Sequence, residues 1–567
     1  MDRGRSRRDR ARLRGLRLSP RTREPRTARA AAWLLLAASL ALAGALLAAL
    51  EWGLRAAGAG EPDAARGSPL RYQRLELPSL APALRADGTA VLRPVDPRLG
   101  FQELLRAKPE RALRVVVFGE SAAAGLGFSP NASFASELAR LLRGAYPDRA
   151  VEVLNLAIAG IASEQVRALV ADALRDADPD LLVVSCGHNE FLEVHARRWA
   201  ERRASPLGRA LLALGELRLF RVAHALVRPG RAAAEREARR GSDEALRLPE
   251  RDLLAGVALA PGEVRAVEER YAANLAAIAA AARAAQVPLV LATAASNARW
   301  RGRKDLPADW LAARLGEPGP ESPERLRAAR AKLDARLAGA AADERWELLY
   351  ERAVAAERQG DLAAARADYR AARDADPHRR RASEALHARV RGVAASSGAA
   401  LADVDAALAR RAASGLAGFD EFYDYVHPTP RGAVEIAAIL LGAALAAGAL
   451  PPAPALDLPR RRDERLAALA ALRADPFDVS EWLGFGFDPG GVSDRDLWKY
   501  ERLREALDAR LAADPGDLAA LVYRGNASYF EPAGGPAARR DWEAAARLAP
   551  GDPAIRANLA RLAAQGR

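Results

Sequence analysis

The stretch VVVFGESAAAG, residues 115–125, is an apolar run that ends in a glycine, a charge and a hydroxyl. The next segment, residues 134–142, has apolar residues at helical spacing. Strand, tight turn and helix in this order are typical of α/β proteins, which present functional groups at the carboxyl ends of their strands. The turn is therefore a candidate phosphate cradle, a candidate nucleophile, or only a turn.

Further apolar runs show that residues 115–125 begin a repeating pattern. Strands are predicted at residues 115–118, 151–154, 181–185, 289–293 and 400–404, and helices at 134–142, 164–174, 264–285 and 431–447. This alternation predicts a parallel sheet covered on both faces. Ligands of such sheets bind beyond the carboxyl ends of the strands.

Polar residues and glycines follow the first three strands and the last predicted loop. The segments are Gly119-Glu120-Ser121, NLAIAG at 155–160, CGHNE at 186–190 and FYDYVHPTPRG at 422–432, which holds Asp424 and His427. A serine hydroxyl is a weak nucleophile that needs a base in hydrogen-bond reach. His427 supplies an imidazole, and Asp424 can orient it and stabilise its protonated form.

Each of these residues also has an ordinary structural explanation. A serine after a strand often caps a helix, and Asn and Gly are common in turns. Other motifs fit less well, because no lysine follows Ser121 as in a Walker loop, and Ala123 replaces the last glycine of G-x-S-x-G. The occurrence of all four segments in this order, after three strands and in the last predicted loop, favours a site with a nucleophilic serine.

The four segments resemble the blocks of the SGNH (GDSL-type) hydrolase family over residues 112–195 and 262–447. The resemblance implies a flavodoxin-like, three-layer α/β fold and a catalytic triad of Ser121, Asp424 and His427. It further implies an oxyanion hole made by the amides of Ser121 and Gly160 and the side chain of Asn189. The sequence departs from the family pattern at Glu120 and Glu190, where the family usually has Asp. The expected substrate pocket comprises Glu120, His188, Glu190, Asn297 and Arg299.

The formal net charge of +13 is concentrated at the N-terminus. Residues 1–29 contain twelve arginines and three acidic residues, a net charge of +9, which disfavours a nucleic-acid-binding function for the rest. Residues 30–50 carry no charge and are long enough to span a bilayer, with Trp33 and Trp52 near the ends. We expect a single-pass anchor at 30–52 in a bacterial inner membrane, with the remainder on the periplasmic side; a cleaved signal peptide is the alternative.

The predicted domains are a basic tail (1–29), the anchor (30–52), a linker (53–110), a hydrolase domain (111–450) with helical insertions (196–262 and 305–390), and a helical region (451–567). Within the second insertion, Gly360, Ala365, Tyr369, Ala372 and Pro377 are spaced as in tetratricopeptide repeats. Similar offsets recur near the C-terminus, at Ala538, Trp542, Ala545 and Pro550. Generic helical hairpins are the alternative; repeats would imply a protein or polymer partner.

The sequence therefore predicts an ester hydrolase acting on O-acyl groups of cell-envelope glycans or lipids. An O-acyltransferase with the same site remains open, as does an inactive scaffold that binds proteins through its repeats. No cofactor or metal is expected, since the chain has a single cysteine, Cys186, and no H-E-x-x-H motif.

Overall fold

The computed structural model describes residues 26–57, 73–85, 87–99, 102–126, 133–203, 205–206, 214, 217–220, 222, 259–300, 310–412, 414–422, 424–472, 507–508, 511–529, 535–550 and 553–564. Residues 1–25 of the predicted basic tail and much of the predicted insertion 196–262 lie outside this part. The chain forms two compact units, one of residues 1–61 and 206–232, the other of residues 62–205 and 233–567.

Among its described residues the first unit contains the long apolar helix α1, Arg26–Ala56. Its segment Trp33–Ala56 has a mean hydropathy of 2.3, and its large apolar side chains are exposed. Length and composition are sufficient to cross a membrane. Membrane anchoring itself stays a prediction.

The second unit is built on a five-stranded parallel sheet. In chain order its strands are β4 Leu113–Gly119, β5 Val151–Asn155, β6 Leu181–Ser185, β7 Leu289–Ala292 and β8 Ala400–Ala402. Their spatial order is β5-β4-β6-β7-β8, and every neighbouring pair is parallel. This is the doubly wound order of the flavodoxin-like class, and it confirms the predicted parallel sheet.

Helices cover both faces of the sheet. Helices that the structure describes in this unit include α2 Ser121–Ala124, α3 Phe134–Ala145, α4 Ser163–Asp176, α5 Leu192–Arg203, α6 Pro261–Ala284, α7 Trp310–Leu315, α8 Pro323–Gly339, α9 Arg345–Arg358, α10 Leu362–Ala375, α11 Glu384–Ser397, α12 Val404–Arg411, α13 Pro430–Ala446, α14 Leu458–Leu472, α15 Leu518–Tyr529, α16 Gly535–Leu548 and α17 Pro553–Ala564. Side chains of β4 alternate between the two cores: Val116 and Phe118 pack with α4, α6 and α11, whereas Val115 and Val117 pack with α3, α12 and α13.

The predicted linker 53–110 is wrong from Gln73 onward. Strands β1 Leu80–Leu84, β2 Ala90–Pro94 and β3 Leu104–Leu105 form an antiparallel sheet, and Pro97–Leu99 forms a 3-10 turn. Leu80, Leu92 and Leu104 enter the same core as α4. The frequent Gly and Pro of this segment obscured three strands that are too short to show a clear alternation.

Two helical hairpins contain the repeat-like residues. In α9–α10, Ala365, Tyr369 and Ala372 are buried, and in α15–α16 Ala538, Trp542 and Ala545 are buried. Arg352 binds Asp368 in the first hairpin as Arg524 binds Asp541 in the second. The helical C-terminal region is therefore observed, while its membership in the tetratricopeptide class stays a prediction.

Candidate active site

The topology places two chain segments beside each other at the carboxyl edge of the sheet. Strand β4 lies between β5 and β6, so the connection from β4 to β5 runs to one side and the connection from β5 to β6 crosses to the other. Open α/β sheets bind ligands in the crevice at such a switch point. Ser121 directly follows β4, and Asn189 follows β6.

Gly119 explains how β4 ends and turns into the next helix. A Cβ atom at this position would lie 2.1 Å from the carbonyl oxygen of Ser185 and 2.6 Å from the Cβ of Ala123. Only glycine allows the chain to pass so close to β6 and turn into α2. The turn leaves Ser121 half-buried at the first position of that helix.

Ser121, His427 and Asp424 form one hydrogen-bonded chain. The Nε2 atom of His427 lies 2.8 Å from Ser121 Oγ, and its Nδ1 lies 2.5 Å from Asp424 Oδ2. A carboxylate can only accept, so Nδ1 carries the proton and Nε2 accepts from the serine hydroxyl. The histidine is buried. The structure thus brings together the three residues predicted to be catalytic, in the geometry that activates a serine.

The Asp424–His427 loop is held by its own backbone and by Asn297. Asp424 Oδ1 accepts hydrogen bonds from the amides of Val426 at 2.9 Å and His427 at 2.7 Å. Asn297 donates from Nδ2 to the Asp424 carbonyl at 3.1 Å and from its amide to the Tyr425 carbonyl at 3.0 Å. Its side chain is 0% exposed. Its expected place in the substrate pocket is therefore wrong, because this fully buried side chain binds the Asp424 carbonyl and the amide of Arg299.

The loop after β5 brings two of the predicted oxyanion donors, Gly160 and Asn189, close together. Gly160 adopts a φ of +82°, which favours glycine. The Nδ2 atom of Asn189 donates to the carbonyl of Ile161 at 3.0 Å, leaving the second hydrogen of the amide group for another acceptor. Asn189 is thus placed beside Gly160. The oxyanion role of these donors stays a prediction.

Glu120 is a buried residue that lines a small cavity beside Ser185 and His188, and its carboxylate also binds the scaffold. It is 1% exposed, and its carboxylate accepts from the amides of Gly187 at 3.0 Å, His188 at 2.9 Å and Asn189 at 3.1 Å. Burial, followed by the charge of Glu190, raises the pKa of Glu120 to about 8, although the amide donors act against this. The side chain shapes the loop that presents Asn189.

Glu190 is also a buried residue that binds the scaffold. Its two oxygens accept from the amide and the hydroxyl of Ser163, both at 2.8 Å, and Asn274 donates to that hydroxyl at 3.0 Å. Burial raises the pKa of Glu190. The expected contact with substrate is wrong, since Glu190 anchors the start of α4.

His188 and Arg299 also bind the scaffold. Burial, followed by His387 and His427, lowers the pKa of His188 to about 3, so the ring is neutral, and its Nδ1 accepts from the amide of Ala382 at 3.1 Å. Arg299 donates to Glu357 of α9 at 2.9 Å and to Ser414 at 2.8 Å. His188 also lines a small cavity with Glu120, and both His188 and Arg299 link the site to the helical insertion. Their contact with substrate stays a prediction.

Two supporting residues escaped the sequence analysis. The Tyr425 ring stands edge-on to His427, with ring centres 5.8 Å apart. Buried Arg381 donates to the carbonyl of Asn297 at 3.0 Å, so it stabilises the segment that holds the Asp424 loop. Tyr425 lies between Asp424 and His427 in the sequence, which was a usable signal; Arg381 has no local signal.

Comparisons with known proteins show similarity at low identity. The chain matches no family model. It matches no curated protein. Solved structures that are similar include a GDSL-like lipase from Parabacteroides merdae, with 11% identity and a TM-score of 0.29 over 60% of this chain and 97% of that one. An acetylxylan esterase from Geobacillus stearothermophilus has 11% identity and a TM-score of 0.28 over 59% and 95%. A GDSL-like lipase from Bacteroides thetaiotaomicron has 13% identity and a TM-score of 0.25 over 59% and 90%.

Proposed function

We propose that the protein is a serine esterase whose nucleophile is Ser121. The observation that carries this is the continuous chain from Ser121 Oγ through His427 to Asp424, with distances of 2.8 and 2.5 Å. A serine that only caps a helix has no need of a buried histidine and an aspartate behind it.

The reaction follows from the roles of these groups. Ser121 Oγ bonds to the carbonyl carbon of the ester while its proton passes to His427 Nε2. The oxyanion then accepts from the Ser121 and Gly160 amides and from Asn189. When the tetrahedral intermediate collapses, the alcohol leaves with the proton from Nε2, and an acyl-serine remains. Water, deprotonated by His427, releases the acid and restores Ser121.

For the substrate, we propose O-acyl groups on glycans or lipids of a cell envelope. The support is the apolar segment Trp33–Ala56 of α1, which follows the arginine-rich residues 1–29 and would hold the catalytic unit close to a membrane. Added protease should then degrade residues 62–567 in intact spheroplasts. Protection of this part until the membrane is permeabilised would contradict the periplasmic orientation.

The two helical hairpins favour a second candidate, a scaffold that binds other proteins. Their matched Arg–Asp pairs and buried aromatic residues support a repeated unit. A scaffold would not need the serine to be reactive, so reactivity of Ser121 distinguishes the two.

The decisive experiment uses the full-length chain in detergent with short- and long-chain p-nitrophenyl esters. We expect hydrolysis by the native protein, loss of it in Ser121→Ala and His427→Ala, and no change in Ser397→Ala, a serine at the end of α11. A fluorophosphonate probe should label the native protein and not Ser121→Ala. Hydrolysis or labelling that persists in Ser121→Ala would overturn the assignment. Adding a sugar alcohol and analysing the products would show whether the acyl group goes to water or to the alcohol.

A further inference from the structure

A second histidine lies in a cluster with two acids, away from the serine. The cluster consists of Glu384 and His387 on the first two turns of α11 and Asp405 in the first turn of α12. One ligand atom of each residue lies within 4.8 Å of the others. We refer to these three residues as the 384–405 cluster.

The contact of Nε2 decides which ring nitrogen of His387 carries the proton. Nε2 lies 3.0 Å from the carbonyl oxygen of Ala294, which can only accept, so Nε2 carries the proton. In the neutral ring Nδ1 then has a free lone pair. This atom is buried and has no hydrogen-bond partner among the described residues, and the side chain is 1% exposed.

That lone pair faces two carboxylates. Nδ1 is 3.7 Å from Glu384 Oε2 and 3.6 Å from Asp405 Oδ2. Three electron-rich atoms this close together repel each other unless a proton or a metal cation lies between them. Within the described part of the chain, the Asp405 carboxylate also accepts no hydrogen bond, although it is 13% exposed.

The two neighbouring arginines form ion pairs with the same carboxylates, and Nη2 of the buried Arg373 has no hydrogen-bond partner among the described residues. Arg391 donates to Asp403 at 2.8 Å and to the other oxygen of Glu384 at 2.5 Å. Arg373 donates to Asp374 at 2.9 Å. Arg373 is 3.6 Å from Glu384 Oε2 and 3.7 Å from Asp405 Oδ1, which is too long for a hydrogen bond. Four carboxylates and two guanidinium groups therefore meet here, with a net charge of −2: Asp374, Glu384, Asp403 and Asp405 with Arg373 and Arg391.

The spacing suits a divalent metal. Ligands at about 2.1 Å from a tetrahedral ion are about 3.4 Å apart, close to the observed 3.6 and 3.7 Å. Ligating histidines usually donate their other ring N–H to a carbonyl or carboxylate, as His387 does to Ala294. A set of one imidazole and two carboxylates fits zinc or a similar first-row ion.

We propose that Glu384, His387 and Asp405 bind a divalent transition metal with a structural role. The ion would join the starts of α11 and α12 to Ala294, three residues before Asn297, which supports the Asp424 loop. This site is independent of the serine chemistry.

The test is a titration of the metal-stripped full-length protein in detergent with Zn²⁺, followed by calorimetry. We expect one saturable equivalent that disappears from the elemental analysis after chelation, and a rise in the unfolding temperature on binding. Glu384→Gln and Asp405→Asn should each weaken binding at least about tenfold.

Glu321→Gln is the matched control, because Glu321 is 43% exposed and Glu384 is 49% exposed, and Glu321 lies outside the cluster. Its affinity should equal that of the native chain. Unfolding temperatures of all variants in chelator show that they fold. Absence of saturable Zn²⁺ binding at pH 8 would overturn the proposal and assign a proton to His387. Equal binding by all three variants would also overturn it.

Discussion

The molecule contains two pairs of an acid and a histidine with the same spacing, Asp424-x-x-His427 and Glu384-x-x-His387. Both histidines are buried and both have an acid beside Nδ1. In the first pair the carboxylate is 2.5 Å from Nδ1, and in the second 3.7 Å. Equal spacing in the sequence therefore produces one hydrogen bond and one gap.

The backbone explains the difference. Asp424 lies in a loop, where Oδ1 accepts from the amides of Val426 and His427 and so directs Oδ2 at the ring. Glu384 is in an α-helix, where residues three apart share a face but remain about 5–6 Å apart at Cβ. The other nitrogen also differs: it faces the Ser121 hydroxyl in one pair and the Ala294 carbonyl in the other. A carbonyl offers no proton, so only the first histidine can act as a base towards a nucleophile.

The largest expected effect comes from breaking the first pair at its reacting end. Ser121→Ala and His427→Ala should each lower kcat by about 10³–10⁶, and the double variant no further, because the residues act as a unit. Ester hydrolysis under saturating substrate measures this. Additive losses would show that the two side chains do not work on the same step.

Asp424→Asn tests the acid of that pair. An amide donates to Nδ1 and stabilises the wrong tautomer, so kcat should fall by about 10⁴ with the fold intact. Stopped assays with high enzyme concentration can measure so low a rate. A loss below about tenfold would show that the 2.5 Å contact does not orient His427.

Asn189→Ala tests whether this side chain stabilises the negative charge that develops on the substrate oxygen in the transition state. Removing one oxyanion donor should lower kcat by about 10²–10³ while KM changes little. Steady-state kinetics with both parameters measure this split. A rise in KM alone would assign Asn189 to ground-state binding.

His387→Phe provides the contrast for the second pair. The Ala294 carbonyl loses its donor, which should destabilise the fold by about 1–3 kcal/mol. The drop in kcat should remain far below that of Asp424→Asn. Urea unfolding and kinetics on the same preparation measure both; a loss of activity equal to that of His427→Ala would contradict the distinction between the pairs.

Glu120→Gln should give the smallest effect on kcat and a change in the pH dependence of stability. The folded-state pKa of Glu120 is raised to about 8 from 4.5, so the folded state binds the extra proton between these values. Its contribution to stability is complete below about pH 4.5 and is lost as pH rises through about 8. The difference in unfolding free energy between native and variant proteins should therefore shift between pH 5 and 9; a constant difference would contradict the raised pKa.

Local patterns in the sequence predicted much of the scaffold and the reacting residues. The run 115–118 lies within β4, and the predicted helix 134–142 lies within α3. Ser121, Asp424 and His427 meet as expected. The sheet order and the ordered strands before β4 were not accessible in this way, because pairing partners are distant in sequence.

The scaffold contacts of the predicted pocket residues were not visible in the sequence. Glu120, His188, Glu190, Asn297 and Arg299 all follow strands near the site, yet each binds the scaffold. The sequence correctly placed these residues just after strands near the site. It could not show which backbone groups of neighbouring loops their side chains would bind, and those groups set the side-chain directions.

The sequence by itself determined many of the strands and helices and the order of the reacting residues, since apolar periodicity acts over a few residues. The tertiary structure alone decided which acid touches its histidine and which nitrogen faces a nucleophile. The second outcome depends on hydrogen bonds between segments far apart in the chain, such as Ser121 with His427 and Ala294 with His387. An acid-x-x-His spacing becomes a catalytic pair or a cation-binding cluster only when the fold supplies its third partner.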